Sequence, residues 1–240
     1  MAPLGDLVLP PLCSLCGRDI ERCHDEPLLC SACRNGLVGD ERPVCPRCAR
    51  PLPEGLAPCS RNCPACRKHR FLFERTTAVG VYAGLIRKAV LRMKRMHGEP
   101  LAFALGGLLA TSLASAADRP YDVLAPVPMH WARRLLRGVN SPDMLAEAVA
   151  SRLGVPAALD LLCCQRQTRK QGTLLPAERR RNVRGAYAVN PRYRMQGTEV
   201  LLLDDVMTTG ATANEIARLL LRSGAARVSL GVVARGVGFD

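Results

Sequence analysis

The stretch "VLLLDDVMTTGATANE", Val200 to Glu215, places four apolar residues directly before two adjacent aspartates and a run of small and hydroxyl side chains. Four consecutive apolar residues predict a strand that is buried on both faces. We expect Asp204 and Asp205 to emerge at the end of this strand and a helix to begin at about Ala213. The stretch therefore predicts a strand-loop-helix unit with a polar loop at the carboxyl end of a buried strand.

This loop has the chemistry of an anion site, because backbone N–H groups and hydroxyls converge on a helix N-terminus. Gly210 lets the backbone approach a ligand closely. The paired carboxylates repel each other unless a diol or a metal accepts them. An ordinary loop with a threonine N-cap is the alternative, although neither aspartate lies at the cap. The loop lacks the Gly-Lys-Ser/Thr of a Walker loop and the several glycines of a dinucleotide fingerprint. Its five residues are Thr208, Thr209, Gly210, Ala211 and Thr212.

Short apolar runs alternate with helical patterns from residue 76 onward. Strands separated by helices indicate an α/β domain with a mostly parallel sheet and helices on both faces. Ligands in such sheets bind beyond the carboxyl ends of the strands. The predicted strands are Thr76–Tyr82, Tyr121–Pro128, Glu199–Asp205 and Arg227–Arg235, and the predicted helices are Leu85–Met96, Pro100–Ala117, Ser141–Gly154 and Gly210–Gly224.

Ten of the twelve cysteines lie in the first 66 residues, mostly as Cys-x-x-Cys pairs. A turn of that length lets two thiolates reach one tetrahedral zinc ion at about 2.3 Å. A disulfide framework is the alternative, and it fits poorly with a reducing compartment. Four thiolates close a site, so we expect a structural role in which zinc supplies folding free energy. The two predicted zinc sites are Cys13, Cys16, Cys30 and Cys33, and Cys45, Cys48, Cys63 and Cys66.

The spacing leaves Cys23 and Cys59 over, and Cys59 lies close enough to Cys63 to replace it as a ligand. His24 is a further spare ligand. Few large apolar residues separate the cysteines, so this module is not expected to build a core of its own. We expect a double zinc-ribbon module over residues 1–70 and an α/β domain over residues 71–240. No role is assigned to Cys163 and Cys164.

The formal net charge is +13, and the basic residues concentrate in Gly84–Gly98, His130–Asn140 and Gln165–Arg184. Three basic segments on an otherwise balanced chain indicate one site for a phosphate-rich ligand, with a solvated surface as the alternative. We find no apolar run of the roughly 18 to 20 residues that a membrane span needs, and no signal peptide at the start. We therefore expect a cytoplasmic protein that is not an integral membrane protein.

Further segments tighten the interpretation. Two further segments resemble the ComF/GntX family, as the loop and the cysteine pairs do: "LAPVPMHWARRLLRGVN" and "RQTRKQGTLLPAERRRNVRGAY". The resemblance extends from Leu7 to Gly236. The resemblance implies the type I phosphoribosyltransferase fold behind an N-terminal zinc module. The chain departs from the family at Val139, Asn140 and Ser141, where Phe-Asn-Gln is usual.

The resemblance also implies roles for the loop. Asp204 and Asp205 would hold the ribose hydroxyls of phosphoribosyl pyrophosphate (PRPP), and Thr208 to Thr212 its 5′-phosphate. Mg²⁺ would hold the pyrophosphate. Purine-salvage relatives carry an aspartate where this chain has Thr208, and a threonine is a poor general base. The candidates to neutralise the leaving group are Lys94, Arg133, Arg134, Arg137 and Arg166.

Three functions remain open: a phosphoribosyltransferase of unknown acceptor, a non-catalytic PRPP or nucleotide sensor, and a cytosolic factor in uptake of single-stranded DNA during natural transformation. The last would have single-stranded DNA and the competence machinery as partners. With only 4% aromatic residues, the chain has few stacking platforms for bases. The segment from Arg166 to Asn182 reads as a loop able to close over the site. Its arginines Arg179, Arg180 and Arg181 fit a solvated or DNA-facing surface equally well.

Overall fold

The computed structural model describes residues 12–20, 28–38, 42–59, 61, 63–116, 120–131, 141–169 and 175–237. In chain order the elements are α1 Ser31–Val38, α2 Pro64–Lys68, β1 Thr76–Val81, α3 Gly84–Met93, α4 Glu99–Ala116, β2 Val123–Pro126, α5 Ser141–Leu153, β3 Leu162–Cys164, α6 Pro176–Val183, β4 Tyr187–Val189, β5 Glu199–Met207, α7 Ala211–Arg222 and β6 Arg227–Arg235.

Four strands form a parallel sheet in the order β1-β6-β5-β2. Strand β5 is central, and its side chains alternate between the two faces as the pleat requires. Leu201 and Leu203 join the apolar cluster of α3, α4 and α5, whereas Val200 and Leu202 join the cluster of α7. The sheet is thus covered on both sides, which confirms the predicted fold class.

Strands β3 and β4 form a separate two-stranded antiparallel sheet, and α6 lies between them in the chain. The sequence pattern does not predict these two strands. Strands of three residues carry no usable periodicity. Helix α6 begins with Pro176 at its first position, where the missing N–H is not needed, and the Leu175 N–H donates to the Glu178 carboxylate at 2.9 Å. The interpretation of Arg166 to Asn182 as one loop is therefore wrong for its second half, which is helical.

The zinc module shares its apolar packing with the α/β domain. Cys13, Leu15 and Ile20 belong to the same cluster as α3 and α4. Cys45 and Cys48 belong to the cluster on the α7 face. The two cysteine groups thus contact different faces of the α/β domain, in keeping with a module that builds no separate core.

Helix α4 contradicts the expectation that no apolar run reaches membrane-spanning length. It has 18 residues with a mean hydropathy of 1.3, which is long and apolar enough to cross a bilayer by length and composition. Ten of these residues are buried inside the protein. At Gly106 an added Cβ would lie 2.6 Å from the Ala148 Cβ of α5, so the two helices touch closely. Within the described residues, α4 is a core helix of the α/β domain.

Candidate functional site

The two aspartates lie within the last four residues of strand β5, not after its end. Strand β5 continues to Met207, and Asp204 and Val206 are in register with residues of β6. The Asp205 N–H donates to Asp204 Oδ1 at 2.8 Å, and Lys94 Nζ lies 2.7 Å from Asp205 Oδ2. The backbone of both acids is therefore fixed by the sheet, and Asp205 is neutralised by a cation that follows α3.

Asp204 is the acid of the pair whose pKa is shifted by its surroundings. Burial, and then the charge of Asp205, raise the pKa of Asp204 to about 7, while its hydrogen bond from the Asp205 N–H and the charge of Lys94 work in the opposite direction. Around pH 7 Asp204 is therefore about half protonated, which reduces the repulsion between the two adjacent carboxyl groups. The pair is poised to accept hydrogen bonds from a diol or to take up a cation.

Gly210 explains the shape of the loop. Helix α7 begins at Ala211, two residues before the predicted Ala213, and its N-cap is Gly210 with φ +72° and no side-chain cap. An added Cβ would lie 2.8 Å from Met207 Cε and 2.9 Å from Phe71 Cε1. The alternative of a threonine N-cap is wrong, because glycine is required at the cap by both conformation and packing.

A cavity of about 780 Å³ brings the predicted residues together. It is lined by both aspartates, by Lys94 and by the whole loop from Thr208 to Thr212. Arg166 is not among its lining residues, because its guanidinium donates to the carbonyls of Asn182 at 3.0 Å and Arg184 at 3.1 Å. The predicted Arg133, Arg134 and Arg137 lie outside the described residues.

Arg179 is a residue for which the sequence left two interpretations open, a segment that closes over the site and an exposed surface. Its side chain is only 1% exposed and lines the same cavity. Its Nη1 donates to Thr208 Oγ1 at 2.9 Å, and burial lowers its pKa. Of the two alternatives, an exposed surface is wrong for Arg179, although Arg180 is exposed as that alternative expects. No local signal could reveal this contact, because it joins residues 29 positions apart.

A second cavity of about 470 Å³ lies against Thr209, Gly210 and Ala211. Its one described acid, Glu215, pairs with Arg218 at 2.6 Å. Burial, and then the charges of Arg180 and Lys68, lower the pKa of His69 in its wall. The end of the zinc module thus adds cations that the three predicted basic segments do not include. The basic lining residues are Lys68, Arg70, Arg180, Arg181, Arg184 and Arg218.

The cysteines form the two predicted groups, each with four sulfurs within 4.8 Å of one another. The Sγ atoms of Cys16 and Cys30 are 3.7 Å apart, and those of Cys48 and Cys63 are 3.5 Å apart. A tetrahedral zinc ion with bonds of 2.3 Å requires sulfur separations of about 3.8 Å. The described residues therefore fit two structural zinc ions, with Cys63 and not Cys59 in the second group. Cys23 and His24 lie outside the described residues.

The thiols of the second group also need a cation. A hydrogen bond with Cys48 lowers the pKa of Cys45 to about 5, while the same contact, followed by burial, raises the pKa of Cys48. Without metal, the thiolate form of Cys45 is favoured, while Cys48 is held in its protonated thiol form. Zinc binding requires all four in the thiolate form and supplies the charge that makes this possible.

Arg235 connects the second cysteine group to the loop. Its guanidinium is 3% exposed, and Nε donates to the Cys48 carbonyl at 2.7 Å. Its Nη1 donates to the carbonyls of Met207, at 3.2 Å, and of Thr208. One buried side chain therefore holds the zinc knuckle and the start of the loop together.

Comparisons with known proteins agree with this architecture. The profile described as a double zinc ribbon domain matches residues 4–67, and that of a phosphoribosyl transferase domain matches residues 144–237. The chain is 30% identical over 233 residues to the DNA utilization protein YhgH of Escherichia coli O157:H7, covering 95% of this chain and 99% of that protein. It is 26% identical over 212 residues to competence protein F of Haemophilus influenzae, covering 86% and 90%.

Two further similarities extend the comparison. Competence protein ComFC of Bacillus subtilis is 25% identical over 201 residues, covering 82% of this chain and 80% of that protein. The solved glutamine PRPP amidotransferase from B. subtilis is 24% identical with a TM-score of 0.38, and this chain spans 26% of that enzyme. With a relative that is 30% identical over nearly its full length, and with both domains matched in order, the chain belongs to the ComF/GntX family, in which a double zinc ribbon precedes a phosphoribosyltransferase domain.

Proposed function

We propose that the chain binds PRPP together with Mg²⁺ in the cavity of about 780 Å³. The observation that supports this most is the meeting of the two aspartates with the glycine-capped loop in one cavity. The carboxylates would accept hydrogen bonds from the ribose hydroxyls. The N–H groups that open α7 would bind the 5′-phosphate, since a helix N-terminus favours an anion.

The charges of the cavity suit this ligand. Lys94 pairs with Asp205 and lines the same cavity, so its ammonium group would add positive charge for the pyrophosphate. Mg²⁺, when bound, would neutralise the pyrophosphate, because it prefers phosphate oxygens and retains several waters. Arg133, Arg137 and Arg166 remain proposed ligands of the phosphates, and Arg166 would have to leave its two carbonyls to act so.

We propose binding in preference to turnover. A transferase of this type commonly needs a base near the acceptor, and Thr208 is a poor one. Its hydroxyl, moreover, accepts a hydrogen bond from Arg179. A non-catalytic PRPP or nucleotide sensor fits this arrangement. Release of pyrophosphate from PRPP in the presence of pooled nucleobases separates the enzyme from the sensor.

Replacing Gly210 with alanine is expected to abolish measurable PRPP binding and to lower the melting temperature. The new methyl group would meet Met207 and Phe71 at less than 3 Å, in a left-handed conformation that costs about 1–2 kcal/mol for other residues. Gly197→Ala is the matched control, since Gly197 has φ +75° with nothing within 4 Å of an added Cβ. The control should lose stability but retain PRPP affinity by calorimetry. Equal affinity of both variants would count against a loop that binds phosphate.

The affinity for PRPP is expected to rise with pH between about 6 and 8. Asp204 has a raised pKa of about 7, so its carboxyl group must lose a proton before both of its oxygens can accept hydrogen bonds from ribose. Binding should strengthen by up to about tenfold per pH unit below 7 and level off above it. The phosphates of PRPP also titrate, and Asp204→Asn corrects for them. The wild type and this variant should differ in slope; parallel pH profiles would refute the role of Asp204.

The basic cavity of about 470 Å³ supports a second function, the binding of single-stranded nucleic acid. Six Lys and Arg side chains and one acid line this cavity, which suits the phosphates of a nucleic-acid strand. Relatives named DNA utilization protein and competence protein support this second function, and we propose uptake of single-stranded DNA during natural transformation as the process. We propose a cytoplasmic protein working with the competence machinery, divided into a zinc module of residues 1–70 and a transferase-like domain of residues 71–240.

The double variant Arg180→Gln/Arg181→Gln is expected to bind single-stranded DNA about tenfold less tightly at low salt. Each lost phosphate contact should make the slope of log K against log salt less steep by about 0.7. Arg192→Gln is the control, because this exposed arginine lines neither cavity. Fluorescence anisotropy over a salt series provides the measurement. A wild-type affinity that is independent of salt would rule this function out.

A further inference from the structure

The cavities of about 470 Å³ and about 780 Å³ share one wall, the loop before α7. Thr209, Gly210 and Ala211 line both of them. Helix α6 also takes part in both, since Arg179 lines the larger cavity and its neighbour Arg180 lines the smaller one. The loop that is proposed to bind a 5′-phosphate therefore borders the basic cavity as well as the cavity of the aspartates.

The two cavities differ in charge. The larger one contains both aspartates of β5, which repel a chain of phosphate groups. The smaller one contains six Lys and Arg side chains and one acid, Glu215. That acid is already engaged, because it pairs with Arg218 at 2.6 Å and accepts a hydrogen bond from the Gly185 N–H at 2.9 Å. A chain of phosphodiesters is thus favoured in the smaller cavity and disfavoured in the larger one.

The smaller cavity is basic at its exposed rim and recessed at the loop. Its cations come from the end of the zinc module, from α6 and the residue after it, and from α7. The Arg180 Nη1 atom lies 3.4 Å from His69 Nδ1, so α6 meets the zinc module here. Gly210 and Ala211 are buried. A strand that lies along the exposed cations can therefore reach the loop only with a group that projects from it. The exposed cations are Lys68, Arg70, Arg180, Arg181 and Arg184.

The chemistry of a strand identifies that group. A terminal phosphate monoester carries a charge of about −1.5 to −2 and three free oxygens, whereas a phosphodiester within the strand carries a single charge. A helix N-terminus favours the more highly charged group. A 5′-phosphate stands on a methylene arm and can enter a recess, whereas a 3′-phosphate is joined directly to the sugar ring. The cavity and the loop together fit the 5′ end of a strand.

Resting on the proposed PRPP site and on the proposed basic cavity, we propose that the loop and the smaller cavity bind the 5′-phosphorylated end of a single DNA strand. The terminal phosphate lies on the loop, and the phosphodiesters that follow it lie on the basic side chains. PRPP and the strand end use the same phosphate position, so they exclude each other. A strand that ends in a 5′-hydroxyl is held by the cavity alone, and it binds more weakly and independently of PRPP.

The test is a competition experiment by fluorescence anisotropy with the full, zinc-loaded chain. The probes are short oligothymidylates with a 5′-phosphate, with a 5′-hydroxyl or with a 3′-phosphate, and thymidine 5′-monophosphate. The 5′-phosphorylated strand is expected to bind at least about tenfold more tightly than the 5′-hydroxyl strand, as a charge-assisted contact implies. The 3′-phosphorylated strand, which has the same charge, should resemble the 5′-hydroxyl strand. The mononucleotide should bind more weakly than the 5′-phosphorylated strand, because it lacks the following phosphates.

Two further measurements connect the preference to the loop. Saturating PRPP with Mg²⁺ should reduce the affinity of the 5′-phosphorylated strand to that of the 5′-hydroxyl strand, and should leave the latter unchanged. Gly210→Ala should remove the preference for a 5′-phosphate and retain the affinity for the 5′-hydroxyl strand. Gly197→Ala is the control and should keep the preference, since an added Cβ meets nothing within 4 Å there.

Several results would overturn the proposal. These are equal affinity of the 5′-phosphorylated and 5′-hydroxyl strands, equal affinity of the 5′- and 3′-phosphorylated strands, a mononucleotide that binds as tightly as the strand, or a preference that persists in Gly210→Ala. If Gly210→Ala does not fold, a 5′-phosphorylated strand that keeps its affinity at saturating PRPP, in a chain that binds PRPP, would overturn it.

Calorimetry with PRPP alone separates this inference from the function on which it rests. PRPP binding without any preference for a 5′-phosphate would refute the strand-end site and leave the proposed function standing. A preference for a 5′-phosphate that depends on Gly210, in a chain that binds no PRPP, would refute the proposed function and leave the strand-end site standing.

Discussion

Replacing Cys48 with serine is expected to remove one of two zinc ions, to lower the melting temperature steeply and to abolish PRPP binding. A structural zinc site contributes on the order of 10 kcal/mol, which is comparable to the whole stability of an ordinary domain. Cys48 is fully buried, and its carbonyl accepts from Arg235, which also holds Met207 and Thr208. Loss of this knuckle should therefore reach the loop directly.

Cys33→Ser in the first cysteine group is the matched control. It should also lose one zinc ion by metal analysis and lower the melting temperature. The first group, however, packs with α3 and α4. Among the described residues, Arg235 forms its hydrogen bond with a cysteine of the second group, Cys48. PRPP affinity of the folded fraction should therefore survive in Cys33→Ser. Equal loss of PRPP affinity in both variants would show that the zinc module acts through stability alone.

The double variant Asp204→Asn/Asp205→Asn is expected to weaken PRPP binding by at least about a hundredfold. Hydrogen bonds to charged groups contribute about 1.5–3 kcal/mol each, and two are removed. The single variant Asp204→Asn should gain folding stability near neutral pH, although PRPP binding is weakened by loss of the carboxylates. A carboxyl whose pKa is raised to about 7 stabilises the fold below its unfolded pKa, and that stability is lost as pH rises towards 7. At pH 8 the single asparagine variant should therefore melt higher than the wild type.

Asp160→Asn controls for the loss of a carboxylate elsewhere. Asp160 is exposed, accepts hydrogen bonds from Asn190 and from the Tyr193 hydroxyl, and lines neither cavity. The PRPP affinity of the Asp160→Asn variant should equal that of the wild type. If the Asp204/Asp205 double variant bound PRPP as tightly as Asp160→Asn, the aspartates would have no part in ribose recognition.

The features that the sequence predicts best, the buried strand β5 and the zinc ligands, are those determined by residues close together in the chain. The run Val200 to Leu203 is apolar at every position because both faces of β5 are covered, and it marks the central strand without any knowledge of its neighbours. The cysteine spacing likewise predicts the zinc ligands, since a Cys-x-x-Cys turn is a local structure. The choice between Cys59 and Cys63 needed the fold, because both are close enough along the chain.

Contacts between distant segments account for what the sequence could not show. The sequence does not distinguish Arg179 from its neighbours Arg180 and Arg181, whereas in the fold α6 brings the Arg179 side chain into contact with Thr208. Lys68 and Arg70 look like the end of the zinc module until they meet α6 and α7 around the basic cavity. Even the end of β5 depends on its neighbour, because pairing with β6 carries the strand past the aspartates to Met207.

Isothermal titration of the full, zinc-loaded chain with PRPP in the presence of Mg²⁺ tests the central claim most directly. We predict saturable binding of one PRPP per chain, weakened when Mg²⁺ is withheld and lost in the Asp204→Asn/Asp205→Asn variant. Absence of binding by the folded wild type, both in calorimetry and as a shift in melting temperature, would contradict the claim that the aspartates and the glycine-capped loop form a PRPP site.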